Sequence, residues 1–467
     1  MHSSPLKRWL VGLTLLAVLL FSAYLWLKPL LSIGGGYAAK HACSCHFLQG
    51  RELAEISEND LNFSVLGWYG LEVEADTVRS SILGLVDRQA VHLPGRGCVL
   101  INAEGQALPT GVPIAIGTGA KDLAQQQTAP TQQSKYQAAL AYGMQPVPGG
   151  GARGIVVLQD GKLLAERYAE GYDRNTPLLG WSMTKTVTGL LVGFVSRVQG
   201  DSPTANRAAR MPNGSANSAD ELSDSPSANQ KEFGGRTANL FPTAWTDKRA
   251  EITLADLLHM NSGLAWNEGY GSITDATVML HERPDFADFA LRSLVIEAPG
   301  TVWNYSSGTT NIVMEYLRQE VGGNDQLYAL IDSVFGPIAP SLLIEPDQSG
   351  RPVGSSYGWA TARDWARLGQ FMLQDGVWDG RRILPPGWID FMREPAAGSD
   401  GVYGGHLWLP GPDMPSLPAD AYMMRGFQDQ RVFVIPSRNM VIARLGHGED
   451  KVTDFDGLVS RILAASE

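Results

Sequence analysis

The chain has 467 residues, 44% hydrophobic and 18% charged, enough apolar material for a sizeable core in one large domain or several. Its net charge of −11 argues against nucleic acid and anionic membrane surfaces as partners, and no nucleic-acid motif occurs.

Trp9 to Leu27 is an uncharged apolar run between Lys7-Arg8 and Lys28. Its length suits a bilayer-crossing helix. A cleaved signal peptide is the competing reading. It would carry a shorter apolar region followed by small residues, whereas Leu25-Trp26-Leu27-Lys28-Pro29 follows here. An uncleaved inner-membrane anchor is expected. Lys7 and Arg8 hold its N-terminus in the cytoplasm, so the rest of the chain is exported to the periplasmic side. Residues 1–35 are read as this anchor and its linker, and the stretch 28–40, with Gly34-Gly35-Gly36, as flexible.

Residues 36–135 form an N-terminal extension of short strands and turns with no evident chemistry. Gln125 to Lys135 is polar and reads as a surface loop. In an oxidising compartment Cys98 is expected to pair with Cys43 or Cys45. His41, Cys43, Cys45 and His46 raise a metal site, but they are spaced too tightly for the usual knuckle, so no metal is expected.

Ile155 to Leu158, Asp160-Gly161 and Leu163 to Tyr168 read as a hairpin leading into the next helix. That helix opens with Trp181-Ser182-Met183-Thr184-Lys185. Residues three apart share a helix face, so Ser182 and Lys185 lie side by side. Serine needs a base to become a nucleophile, and lysine serves as one when burial lowers its pKa. The Ser182 N–H, at the positive end of the helix, would supply half of an oxyanion hole. The motif alone is weak, since Ser4-Pro5-Leu6-Lys7 matches it too.

Residues 201–236 are a low-complexity insertion. Ile252 to Met260 is a short helix capped by Thr253. Gly263 closes the turn after it, and Trp266, Asn267, Glu268 and Tyr270 follow on a loop suited to lining a pocket. A turn at Pro299-Gly300 leads to Tyr305-Ser306-Ser307 and a helix from Thr310 to Val321. Thr361 caps a further helix. Tyr422 to Gly426, Arg431 to Pro436 and Met440 to Gly446 are antiparallel strands, and 453–465 is a closing amphipathic helix. Strands at both ends with helices between predict an α+β domain over 136–467, its one antiparallel sheet built from both ends of the domain.

The order of these pieces resembles the serine β-lactamase and penicillin-binding superfamily. The resemblance is to its class C-like branch, and within it to 6-aminohexanoate-dimer hydrolase-type enzymes. It rests on Trp181 to Lys185, Leu257 to Leu264, Pro299 to Ser307, Ala360 to Asp364, Arg381 to Pro385 and Gly426 to Gln430, and covers roughly 136–465. It implies a β-lactamase-like antiparallel sheet flanked by helices with an inserted all-α region. It implies a small amide or ester substrate, an acyl-enzyme and no cofactor. Ser182 becomes the nucleophile, Lys185 its base and Tyr305 the proton relay to the leaving group. The backbone N–H groups of Ser182 and Phe427 become the oxyanion hole. Tyr305 would ionise only if cations such as Lys185 lowered its pKa. Ser307, Met424, Gly426, Trp266 and Tyr270 are the substrate-binding candidates. Three positions depart from the family pattern. Ser307 stands for the asparagine of Tyr-x-Asn, Met424 for the lysine of Lys-Thr-Gly, and Phe427 where a histidine is common. A D-alanyl carboxypeptidase or β-lactamase is the alternative within the superfamily. A silent binding or sensor protein of the same fold is the alternative outside enzymes.

Overall fold

The computed structural model describes residues 5–102, 108–109, 130–200 and 240–467. The insertion read at 201–236 lies outside them, as do Gln125 to Ala129 of the expected surface loop.

The chain begins with one 45-residue helix, α1 (Pro5–Gln49). From Trp9 through Leu27 it presents largely exposed apolar surface, and from Leu31 onward it is largely buried in the body. It is long and apolar enough to cross a membrane. The stretch 28–40 is therefore helix and not a flexible linker. Each glycine costs a helix about 1 kcal/mol relative to alanine. Here close packing offsets that cost: a Cβ on Gly35 would lie 3.0 Å from the Arg88 side chain, and one on Gly36 would lie 3.1 Å from His281.

A short α2 (Leu53–Asn59) and four antiparallel strands in sequential order follow: β1 (Gly70–Glu74), β2 (Thr77–Ile82), β3 (Val86–Leu93) and β4 (Gly97–Leu100). This sheet packs along α1. Ser80 Oγ donates to the Gly35 carbonyl at 2.7 Å, and Arg88 Nη1 to Ser32 Oγ at 2.7 Å. A disulfide joins Cys43 of α1 to Cys98 of β4, leaving Cys45 as a buried thiol. Glu345 then locks the module to the rest of the chain. Lys40, Ser44, the Cys98 N–H and the Trp359 indole all donate to its carboxylate. The donors raised for a metal do not converge. Cys43 is oxidised, and the His46 ring bonds to the Arg51 carbonyl. His41, Cys45 and Asp60 do converge, but Arg51 and Arg153 already ion-pair with Asp60.

Cys98→Ser should destabilise the protein by about 4 kcal/mol, the chain-entropy estimate for a crosslink closing a loop of this size. Thermal melts measure the loss, and non-reducing peptide mapping checks the pairing. Three free thiols would contradict it.

Helix α3 (Pro130–Gly143) takes up the end of the expected loop. The main sheet runs in the order β12-β13-β14-β5-β6, antiparallel throughout. Its members are the hairpin β5 (Gly151–Gln159) and β6 (Lys162–Tyr168) and the C-terminal strands β12 (Tyr422–Gly426), β13 (Gln430–Ile435) and β14 (Met440–His447). The β14–β5 pairing joins the two ends of the domain, as the sequence pattern predicted. A short strand, β7 (Pro177–Leu179), separates the hairpin from α4 (Met183–Gly200). It pairs with β9 (Gly358–Thr361), which also pairs β8 (Leu343–Ile344). Between α4 and β8 come α5 (Leu254–Leu258), α6 (Asp275–Glu282), α7 (Phe286–Leu291), α8 (Ser307–Val321) and α9 (Asn324–Phe335). After β9 come α10 (Ala362–Leu373), the pair β10 (Val377–Trp378) and β11 (Arg381–Arg382), and α11 (Trp388–Arg393), while α12 (Phe455–Ser466) closes the chain. Alternate strand residues feed two cores. Val156, Met424, Val432 and Val441 pack with α4 and α10, whereas Val157, Met423, Phe433 and Ile442 pack with α3 and α12.

Candidate active site

Ser182 sits immediately before α4, on a turn fixed by its neighbours. Trp181 adopts a left-handed φ of 47°. Gly180 donates its N–H to Gly358 of β9 at 2.8 Å. A side chain at 180 would collide with Trp365, and one at Gly426 would collide with the Gly180 carbonyl. The end of β12 therefore abuts the serine turn at a separation only glycine permits. No acceptor for the Ser182 or Phe427 backbone N–H occurs among the described residues.

Lys185, one turn into α4, is 1% exposed. Its Nζ bonds to Ser182 Oγ at 2.9 Å, Ser307 Oγ at 2.9 Å and the Ser355 carbonyl at 3.0 Å. Three partners use the full capacity of an ammonium. Burial lowers its pKa to about 8, against the opposing pull of the Glu268 carboxylate. Glu268 Oε1 is 3.9 Å from Nζ.

Glu268 organises the wall facing Lys185. Trp266 Nε1 donates to it at 2.6 Å, Tyr270 OH at 2.6 Å and the Ser307 N–H at 2.8 Å, and Ser307 Oγ donates a fourth bond. Ser306 caps α8 by accepting from the Thr309 N–H, which makes Ser307 its first residue and aims both its polar groups at this carboxylate. The sequence displays Glu268 between two aromatics at alternate positions on one loop. That spacing is the signal for its role, while its third donor residue, Ser307, comes from the start of α8, far along the chain.

The substrate-binding candidates separate accordingly. Ser307 is fully buried and bridges Lys185 to Glu268, so it is structural support and not a free contact. Met424 is also fully buried, in the core beneath α4. Gly426 serves close packing. Trp266 and Tyr270 hold Glu268. Of these, Tyr270 reaches the rim, its ring 5.1 Å from that of Phe427, which in turn stands edge-on to Trp181 at 5.8 Å.

Tyr305 lies beside Lys185, its ring centre 4.8 Å from Nζ, against Trp408 and Tyr403. Its pKa is raised: burial is the largest cause and the Glu268 charge adds to it, while contact with Ser182 and the Arg425 charge pull weakly the other way. Lys185 does not make a tyrosinate here, so Tyr305 is a neutral phenol. Arg425 stacks on Trp408 at 4.4 Å.

Comparison with known proteins matches the beta-lactamase family model over residues 136–466. The chain belongs to the beta-lactamase family. It is distantly homologous to 6-aminohexanoate-dimer hydrolase from Paenarthrobacter ureafaciens, with 23% identity over 338 residues, 66% of this chain and 76% of that protein. Two solved structures share the fold of this beta-lactamase-family chain. A penicillin-binding protein homologue from Caulobacter crescentus is 15% identical with a TM-score of 0.51, covering 73% of this chain and 99% of that one. A family VIII carboxylesterase is 16% identical with a TM-score of 0.51, covering 73% and 98%. This chain is thus a beta-lactamase-family serine hydrolase. Its apolar α1 and its disulfide are features of secreted or membrane-anchored proteins.

Proposed function

We propose that this is an exported, inner-membrane-anchored serine hydrolase that cleaves a small amide or ester through an acyl-enzyme. The observation that carries the reading is the 2.9 Å contact between Ser182 Oγ and a fully buried lysine whose pKa is lowered to about 8. A lysine with that pKa gives up its proton near neutral pH and can then accept one from serine. Ser182 Oγ adds to the substrate carbonyl carbon as its proton passes to Lys185. The oxyanion forms against the backbone N–H groups of Ser182 and Phe427. The bond to the leaving group breaks while Tyr305, as a neutral phenol, gives its proton to the leaving oxygen or nitrogen and regains one from Lys185. Water then attacks the acyl carbon as its proton passes to the now neutral Lys185, the bond from that carbon to Ser182 Oγ breaks, the acid leaves, and the proton returns from Lys185 to restore the Ser182 hydroxyl. No step draws on a metal or cofactor.

The names of the related proteins, a 6-aminohexanoate-dimer hydrolase and a carboxylesterase, support an amide or ester as substrate class. The missing lysine of Lys-Thr-Gly speaks against β-lactams, whose ring carboxylate is best met by a charge-assisted hydrogen bond. Met424 cannot donate one and is buried, and Arg425 is held on Trp408. A panel of p-nitrophenyl esters, ω-amino-acid oligomers and a chromogenic cephalosporin tests this. Turnover of a linear ester or amide with poor cephalosporin hydrolysis is expected. Cephalosporin kcat/KM of about 10⁷–10⁸ M⁻¹s⁻¹, near the diffusional range, would make it a β-lactamase instead.

A further inference from the structure

The exposed section of α1 is accompanied by a second apolar surface. β2 and β3 run alongside α1 and end in the turn Leu83-Gly84-Leu85. The Tyr24 phenol donates to the Leu85 carbonyl at 3.1 Å. Tyr24 belongs to the apolar run, one turn before Lys28. At 1.5 Å per residue the turn therefore stands roughly 6 Å past Lys28, on the apolar side.

The turn is poorly designed for water. Leu83 is 89% exposed and Leu85 47%. Leu83 also holds a left-handed φ of 51°, where a bulky side chain is disfavoured and glycine or asparagine would serve a solvated turn better. Behind the tip come exposed charges, Arg79 and Asp87, 3.5 Å apart. Trp26, two residues from Tyr24, is 80% exposed, and tryptophan favours the membrane–water boundary. An apolar tip and a boundary tryptophan stand near one stretch of α1, with a charged collar behind the tip.

We propose that the Leu83-Gly84-Leu85 turn inserts into the interfacial layer of the bilayer that α1 crosses, giving the catalytic body a second membrane contact. The proposal rests on reading α1 as a spanning helix. The contact is apolar, so it does not depend on charge attraction to lipid headgroups, and added salt does not weaken it. It also braces Pro29, which interrupts the hydrogen-bond ladder of α1: Leu85 holds Tyr24 before the proline and Arg88 holds Ser32 after it. With the body fixed in this way, the site has a set height. Tyr37, nine residues beyond Lys28 and so about 14 Å along the helix, stacks on Trp181 beside the serine at 6.0 Å.

The test uses the full chain in phosphatidylcholine vesicles, with a nitrobenzoxadiazole label on single introduced cysteines. The native thiol Cys45 is buried, and the unsubstituted chain gives its background. Leu83→Cys probes the tip, Leu16→Cys the middle of the apolar run of α1, and Glu170→Cys an exposed loop of the body. For the tip, roughly twofold quenching by lipids carrying a nitroxide near the headgroup, and protection from aqueous iodide relative to Glu170→Cys, are expected for an interfacial residue. If Leu16→Cys is quenched by nitroxide at the bilayer centre while Leu83→Cys responds to iodide like Glu170→Cys, the tip is solvated and the proposal is overturned with the spanning helix intact. If Leu16→Cys is not quenched either, the spanning reading falls and the proposal with it.

Discussion

Ser182→Ala is expected to abolish turnover while the protein stays folded. The hydroxyl removed is the one atom that would form the acyl bond, and loss of such a group from a catalytic unit costs on the order of 10⁴–10⁶-fold in kcat. The structural cost is small. Ser182 is partly exposed, and Lys185 keeps Ser307 and the Ser355 carbonyl as partners. The melting temperature should therefore move little. A fluorophosphonate probe should label the wild-type protein at Ser182 and leave Ser182→Ala unlabelled. Retention of more than about a hundredth of the wild-type rate would reject the nucleophile, since one essential group is commonly worth more. A folded wild-type protein that does not label would favour the silent sensor.

The parts of this molecule that were legible in its sequence are those encoded locally. Thr253 and Thr361 cap their helices as read, each accepting from the N–H three residues on. Asp160-Gly161 turns the hairpin with left-handed φ at both residues. The Ser182–Lys185 contact follows from helical spacing alone. What was not legible depends on partners far along the chain. Gly34 to Gly36 read as flexible because glycine weakens an isolated helix, yet Tyr69, Arg88 and His281 need those missing side chains in order to approach. Met424 and Ser307 read as pocket residues by position in a motif. The pleat turns Met424 into the core, and the Ser306 cap turns Ser307 onto Glu268.

Lys185 should set the pH dependence of the reaction, with Glu268 tuning it. Only the neutral amine accepts the serine proton, so kcat/KM should rise with pH and reach half its plateau near pH 8, the value to which burial lowers Lys185. Lys185→Met should remove this rise and cost on the order of 10⁴-fold. Glu268→Gln is the sharper test. The carboxylate favours the charged lysine, so its removal should move the midpoint below 8 and leave a larger share of plateau activity at pH 6.5. It should also cost stability. Glu268 accepts from Trp266, Tyr270 and both polar groups of Ser307. A glutamine would turn an NH₂ toward some of these donors, a conflict worth about 1–3 kcal/mol in a buried site. The lysine itself gives a second stability signature. Its folded pKa lies below the unfolded value of 10.5, so between pH 8 and 10.5 the unfolded chain binds the extra proton. The stability contribution of this group therefore rises with pH across that window, and Lys185→Met should flatten the rise in a denaturation series. A pH–rate midpoint that Glu268→Gln leaves unmoved would take Glu268 out of the machinery, and one that Lys185→Met leaves unmoved would assign the base elsewhere.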